Sequence, residues 1–299
     1  MIMKKRGKFL SVLAGLIFVG ALAATASARE LEPVVTTAWL EKNLDKVIVL
    51  DVRKVEEYRG GHIPGAVNVA YGSWAIKRGE LLNELPADDD LRDVLGSAGI
   101  EPASKVVVVG KTATPADRVD ATRVAWTLIY AGVSEVSLLS GGYDKWVADG
   151  KAVSTEAVRP RAKDYRGRFH KDLVVTKAAV AAALGKGVIV DVRERDFYEG
   201  KKKLPFVERL GHIKGAVSLP TSTMYEADGT YKAKDALAAL AAAAVGADRD
   251  REIILYCDTG KFCTAWWFMM RELLGYKNVK VYDGSMMEWA KDPAAPMEP

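Results

Sequence analysis

One long passage occurs twice in this chain, and that duplication limits the possible fold more than any other feature. The stretch "VIVLDVRKVEEYRGGHIPGAVNV" at residues 47–69 returns as "VIVDVRERDFYEGKKKLPFVERLGHIKGAVSL" at residues 188–219, with a longer loop before the second GHI. A helix-like segment with a threonine near its start precedes each copy, "TTAWLEKNL" and "TKAAVAAAL". Each copy is followed by an apolar run ("KVVVVG" or "EIILYC"), a helix-like segment, and then "EVSLLSGGYDKW" or "NVKVYDGSMMEW". The shared order marks a tandem duplication. Its period is too long for a solenoid, so it predicts two domains.

The runs "VIVLDV", "VVVV", "VIVDV" and "EIIL" are continuously apolar, as strands buried on both faces should be. They alternate with segments of helical length, including "AKDALAALAAAAV". The pattern predicts two α/β domains, each a mainly parallel sheet flanked by helices, over residues 29–150 and 173–299. Between them, residues 151–172 are polar, charged and contain proline, and are read as a linker running over the surface.

Residues 1–28 form a basic head (Lys4, Lys5, Arg6, Lys8), a short apolar body and the small-x-small ending Ala26-Ser27-Ala28. These are the marks of a cleavable secretory signal with its site after Ala28, which predicts a periplasmic protein; an uncleaved anchor is the alternative. The overall charge of +4 resides in this segment, leaving 39 Lys+Arg of the chain's 43 against 39 Asp+Glu. A near-neutral body argues against nucleic-acid binding and against stable membrane association once the signal is removed. Two cysteines cannot frame so long a chain with disulfides, and with three histidines no cluster has structural-metal spacing. No metal or other cofactor is expected, and the mature chain is read as a monomer.

Both cysteines lie in "LYCDTGKFCTAWWFMM". Ligands of open parallel sheets sit beyond the carboxyl ends of the strands, and Cys257 directly follows "EIILY". The segment from Cys263 onward is helical in pattern, so residues 257–262 are a loop between a strand end and a helix start. Backbone N–H groups of such a loop can converge on an anion and favour thiolate over thiol. Gly260 would supply the tight turn. From position alone, Cys257 reads as a nucleophile in a cradle or as a small buried hydrophobe.

The chain resembles the tandem-domain rhodaneses, the thiosulfate and mercaptopyruvate sulfurtransferases, across essentially the whole mature sequence. The resemblance rests on "GHIPGAVNV" and "GHIKGAVSL", on the loop "YCDTGKFCTAWW", and on "YDGSMMEW" near the end. It implies that only the second domain is catalytic, since Gly110 stands in the first where Cys257 stands in the second. It also implies a ping-pong cycle. Cys257 takes the outer sulfur of a donor such as thiosulfate or polysulfide as a persulfide, then yields it to cyanide or a thiol. An already ionised thiol needs no general base. His62 and His212, kept in both halves, are therefore read as holding turns, and Asp51 and Asp191 as structural acceptors; the resemblance adds for Asp191 the orienting of basic groups near the thiol.

The active-site loop would comprise Cys257, Asp258, Thr259, Gly260, Lys261, Phe262 and Cys263. Many thiosulfate-using relatives have basic groups where this chain has Asp258 or Thr259, Phe262 and Phe197. Lys261, Arg195 and Arg209 are the remaining candidates for gripping an anionic donor, and the donor stays open. Cysteine phosphatases use a similar loop but need an arginine six residues after the cysteine, where this chain has Cys263. Two other functions remain as alternatives: a non-enzymatic persulfide carrier, and a thiol redox sensor built on Cys257 and Cys263. Cys263 is expected to pack at the helix start with its side chain away from the cradle's interior; its other reading is a resolving thiol.

Overall fold

The computed structural model describes residue 2 and residues 29–299; apart from Ile2, the predicted signal segment lies outside the described residues. Each half builds a five-stranded, all-parallel sheet. In the first, the order is Val34–Val35, Glu135–Leu139, Lys105–Val109, Ile48–Asp51, Val67–Asn68. The second repeats it with Val174–Val175, Val279–Tyr282, Ile253–Tyr256, Val188–Asp191, Val217–Ser218. The apolar runs take the middle of each sheet because nothing there reaches water: all four residues of Ile253–Tyr256 are buried.

The threonines before the first helix of each half are N-caps. Thr36 Oγ accepts from the Trp39 N–H at 3.1 Å, and Thr176 Oγ from the Ala179 N–H at 3.3 Å, each satisfying a donor the helix cannot. The Ala-rich segment forms the helix Lys234–Val245. The helix after the cysteine loop runs Cys263–Phe268 and widens into a π turn, Met269–Leu273.

The two sheets are not separate bodies. The helix Asp120–Tyr130 of the first half packs on Cys263–Phe268 of the second, and one apolar cluster contains residues of both. Trp126 and Trp267 meet edge to face across this contact, centroids 6.4 Å apart, a favoured aromatic geometry. Residues 151–170 are strapped along the first half. Ser154 exchanges both backbone hydrogen bonds with His62, Lys163 N–H donates to the Gly96 carbonyl, and Tyr165 is buried with its hydroxyl on the Ala131 carbonyl.

Two elements have no signature in the sequence. An antiparallel hairpin, Ile76–Arg78 with Leu81–Glu84, reaches from the first half to the cysteine loop. The short strand Met297–Glu298 pairs with His212–Ile213.

Candidate functional site

Cys257 stands at the end of the central strand Ile253–Tyr256, where a parallel sheet presents its ligand-binding edge. The loop after it is held from below by the "DGS" turn. Ser285 Oγ accepts the N–H groups of Cys257 (3.2 Å) and Gly260 (3.0 Å) and donates to the Tyr282 carbonyl at 2.8 Å. The N–H groups of Met286 and Met287 donate to the carbonyls of Cys257 and Asp258. Ser285 adopts φ +49°, a left-handed conformation that costs a non-glycine residue about 1–2 kcal/mol. Its first-half counterpart, Gly142, has φ +57° and no hydroxyl. The second half therefore tolerates backbone strain and gains a group that ties down the loop. Gly260 (φ +73°) must lack a Cβ, which would overlap the carboxylate and carbonyl of Asp283.

The first half holds the same loop from the other side. Arg123, fully buried on the helix Asp120–Tyr130, donates to the Gly260 carbonyl at 2.8 Å and pairs with Asp283. Asn83, from the hairpin, donates to Thr259 Oγ at 2.8 Å, and the Leu85 N–H donates to Asp283 at 3.0 Å. Lys261 pairs with Asp120 at 2.5 Å and lies over the Tyr71 ring.

Both cysteines are free and buried. Burial pushes the Cys257 thiol up, and so does the neighbouring Asp258. Hydrogen bonds from the Cys263 thiol and from the N–H groups of Thr259 and Cys263 outweigh both, bringing it down to about 7. Cys263 is driven the other way, well above the usual thiol range, by burial and by the Cys257 sulfur beside it. One sulfur is thus poised to ionise at neutral pH while the other keeps its proton as the donor. Cys263 is buried at the start of the helix Cys263–Phe268, near enough to Cys257 for each sulfur to shift the other's ionisation. Cys263→Ala removes a donor to the thiolate, so the midpoint of Cys257 ionisation should move upward from about 7. A pH titration of thiolate ultraviolet absorbance reads this directly; an unmoved midpoint would show that the Cys263 thiol contributes nothing.

The other residues singled out from sequence divide into those at the loop and those elsewhere. Asp191 is fully occupied: Arg193 pairs with both its oxygens and Tyr256 donates to it at 2.9 Å. Asp51 and Arg53 repeat the motif in the first half, and each arginine also clamps the turn before its histidine, on Gly61 or Gly211. His62 and His212 stack on Tyr58 and Tyr198 and bond to those residues' carbonyls, as turn-holding groups do. Arg195 does not grip the loop: it is exposed and bound to Glu199 one helical turn on. Arg209 is also turned elsewhere, donating to the carbonyls of Trp289, Ala290, Asp292 and Ala295. Besides Arg123 of the first half, the arginine that reaches the loop is the second half's own Arg193, whose Nη1 lies 3.4 Å from Asp258. Its signal was the "DVR" shared by both copies.

Gly110 occupies the Cys257 position of the first sheet. The Tyr143 N–H donates to its carbonyl at 2.9 Å, as the Met286 N–H does to Cys257 at 3.0 Å. A cavity of about 310 Å³ opens there, lined by Gly110, Arg53, Tyr71 and the side of Lys261, with no sulfur in it.

This chain is similar to a protein of Saccharopolyspora erythraea named "Putative thiosulfate sulfurtransferase", 32% identical over 281 residues that span 89% of this chain and 96% of the other. It is 29% identical to the sulfur carrier protein TtuD of Thermus thermophilus, over 89% of this chain and 96% of that one. In fold it is similar to the anaerobic ergothioneine biosynthesis enzyme from Chlorobium limicola, with a TM-score of 0.80 and 24% identity over 89% of this chain and 70% of that one. The structure of YnjE gives a TM-score of 0.78 at 24% identity, covering 89% and 68%. The rhodanese-like domain family matches residues 36–149 and again 176–292, and with both halves of the duplication accounted for, the chain belongs to that family.

Proposed function

We propose that this protein is a sulfurtransferase in which Cys257 carries sulfane sulfur from thiosulfate or a similar donor to cyanide or a thiol. The observation that carries the reading is the buried Cys257 at the end of the central strand, opening a loop whose backbone is held by Ser285, Met286 and Arg123. In the first step the thiolate attacks the donor's outer sulfur. The donor's S–S bond breaks, its electron pair leaves with sulfite, and Cys257 keeps a persulfide. In the second step the acceptor takes the outer sulfur and Cys257 returns as thiolate. Gly110 gives the first domain no nucleophile, so its part is to hold the loop through Arg123, Asn83 and Asp120. The signal-like segment extends the proposal to an exported enzyme.

The test is intact mass after incubation with a sulfane-sulfur donor. One added sulfur, located on Cys257 and removed by cyanide, is the expected result; a sulfur found elsewhere, or none, sinks the reading. A second reading, a carrier that receives sulfur from one protein and hands it to another, is supported by the relative named as a sulfur carrier and by the burial of Cys257. Slow turnover with small donors alongside full single-turnover loading would favour it.

A further inference from the structure

The cavity of about 310 Å³ in the first half lies at the carboxyl edge of its sheet, where Gly110 follows the central strand Lys105–Val109. The sulfur-transfer reaction makes no use of it. Its walls are counterparts of residues around the cysteine loop with the charge reversed. Arg53-Lys54 matches Arg193-Glu194, and Gly110-Lys111 matches Cys257-Asp258, so two carboxylates of the second half are two lysines in the first.

The reversal leaves a buried donor without an acceptor. Arg193 spends Nε and Nη2 on Asp191 and the Gly211 carbonyl, and offers Nη1 to Asp258 at 3.4 Å. Arg53 makes the same bonds to Asp51 and the Gly61 carbonyl. Lys111 stands where Asp258 would be, however, and among the described residues nothing accepts from Arg53 Nη1. The Arg53 side chain is only 4% exposed, and the cavity it lines is the space left to that unmade bond. Lys54, exposed on the same lining, pairs with no carboxylate among the described residues. The acids of the lining are already engaged. Glu57 holds Lys111 at 2.5 Å, Asp117 accepts from the N–H and hydroxyl of Thr114, and Asp120 holds Lys261 at 2.5 Å. What remains is a pair of cationic donors.

Two walls of the cavity are attached to the cysteine loop. Tyr71 donates to Asn83 Oδ1 at 2.8 Å, and Asn83 donates to Thr259 Oγ at 2.8 Å. Lys261, itself a residue of the loop, passes over the Tyr71 ring to reach Asp120.

We propose that this cavity is a second, non-catalytic site that binds a small oxyanion through Arg53 Nη1 and Lys54, and that its occupancy is felt by the cysteine loop through Tyr71 and Lys261. The oxyanion is a free inorganic ion or the acid group of a small organic molecule, whose body would lie on Val52, Ala70 and Tyr71. An anion seated there competes with Asp120 for the Lys261 ammonium and loosens the loop's tether to the first half.

The experiment titrates the full-length protein with sulfate, against chloride at equal ionic strength, and with benzoate, against benzamide, reading the heat of binding. Saturable one-to-one binding of sulfate marks an inorganic ion; benzoate binding tighter than both sulfate and benzamide marks an organic acid. Saturable binding of neither anion would overturn the site. Lys54→Glu gives this position the charge of Glu194 and should weaken binding about tenfold or more, the scale of losing one partner of a charge pair. Lys111→Asp should do the same by giving Arg53 the acceptor that Asp258 gives Arg193. Binding unchanged in both variants would overturn the assignment to this cavity. Alkylation of the buried Cys257 by iodoacetamide, located by peptide mapping, should speed up about fivefold or more at saturating anion, within the ordinary range of coupling between sites, and should not do so in Lys54→Glu. An unchanged rate at saturation would overturn the link to the loop. None of these readouts needs turnover, so failure of the sulfurtransferase reading and failure of this site are told apart.

Discussion

Replacing Cys257 with serine is expected to lower sulfur transfer by about a thousandfold or more, the scale of losing a covalent nucleophile, while leaving the fold in place. The hydrogen bonds that bring the thiol down to about 7 cannot bring a hydroxyl into the neutral range, and an un-ionised oxygen is a poor nucleophile towards sulfur. The fold should survive because the loop is set by its backbone. Ser285 grips the N–H groups of Cys257 and Gly260, and Met286 and Met287 cap two of its carbonyls; none of these contacts uses the sulfur. Steady-state assay with cyanide, intact mass after donor treatment and a thermal unfolding curve together test this. Activity retained within a few fold, with normal unfolding, would remove Cys257 from the mechanism.

Arg123→Met is expected to cost about 3–5 kcal/mol of stability, the penalty for stripping one partner from a buried ion pair. Arg123 is fully buried and supplies the charge that balances Asp283, which is itself almost wholly enclosed. Without it, Asp283 keeps the Leu85 N–H but no cation, and the Gly260 carbonyl loses its donor. Those bonds tie the helix of the first domain to the loop of the second, so activity should fall alongside stability. Urea unfolding gives the stability change, read as a shift in midpoint at constant slope. A combined Arg123→Met, Asp283→Leu variant should recover part of the loss, since it removes the stranded charge. A single variant costing under about 1 kcal/mol, as an exposed pair would, would show that this pair does not hold the two domains together.

Much of the architecture was legible because its causes are local. Apolar runs in "VIVD" and "EIIL" can only be strands covered on both faces, and their repetition in the same order gave two like sheets. Thr36 and Thr176 cap helices within three residues of themselves. The place of Cys257, at a strand end before a glycine-containing loop, follows from the same short-range pattern. The shared "DVR" could have pointed to Arg193, yet Arg195 and Arg209 looked as suitable, because a basic residue's partner is not written beside it.

What the sequence determined by itself was therefore the two α/β domains, their order of elements and the position of the one cysteine that follows a central strand. These depend on periodicity and on contacts a few residues apart. Only the tertiary structure decided where the side chains around that cysteine point. It buried Cys263 close to Cys257, drew Lys261 to Asp120 across the domain contact, and set Arg123 of the first domain beneath the second domain's loop. Each of those outcomes joins groups on different elements, or on opposite ends of a curled loop. Their energies come from burial and charge pairing that exist only once the two sheets have packed together.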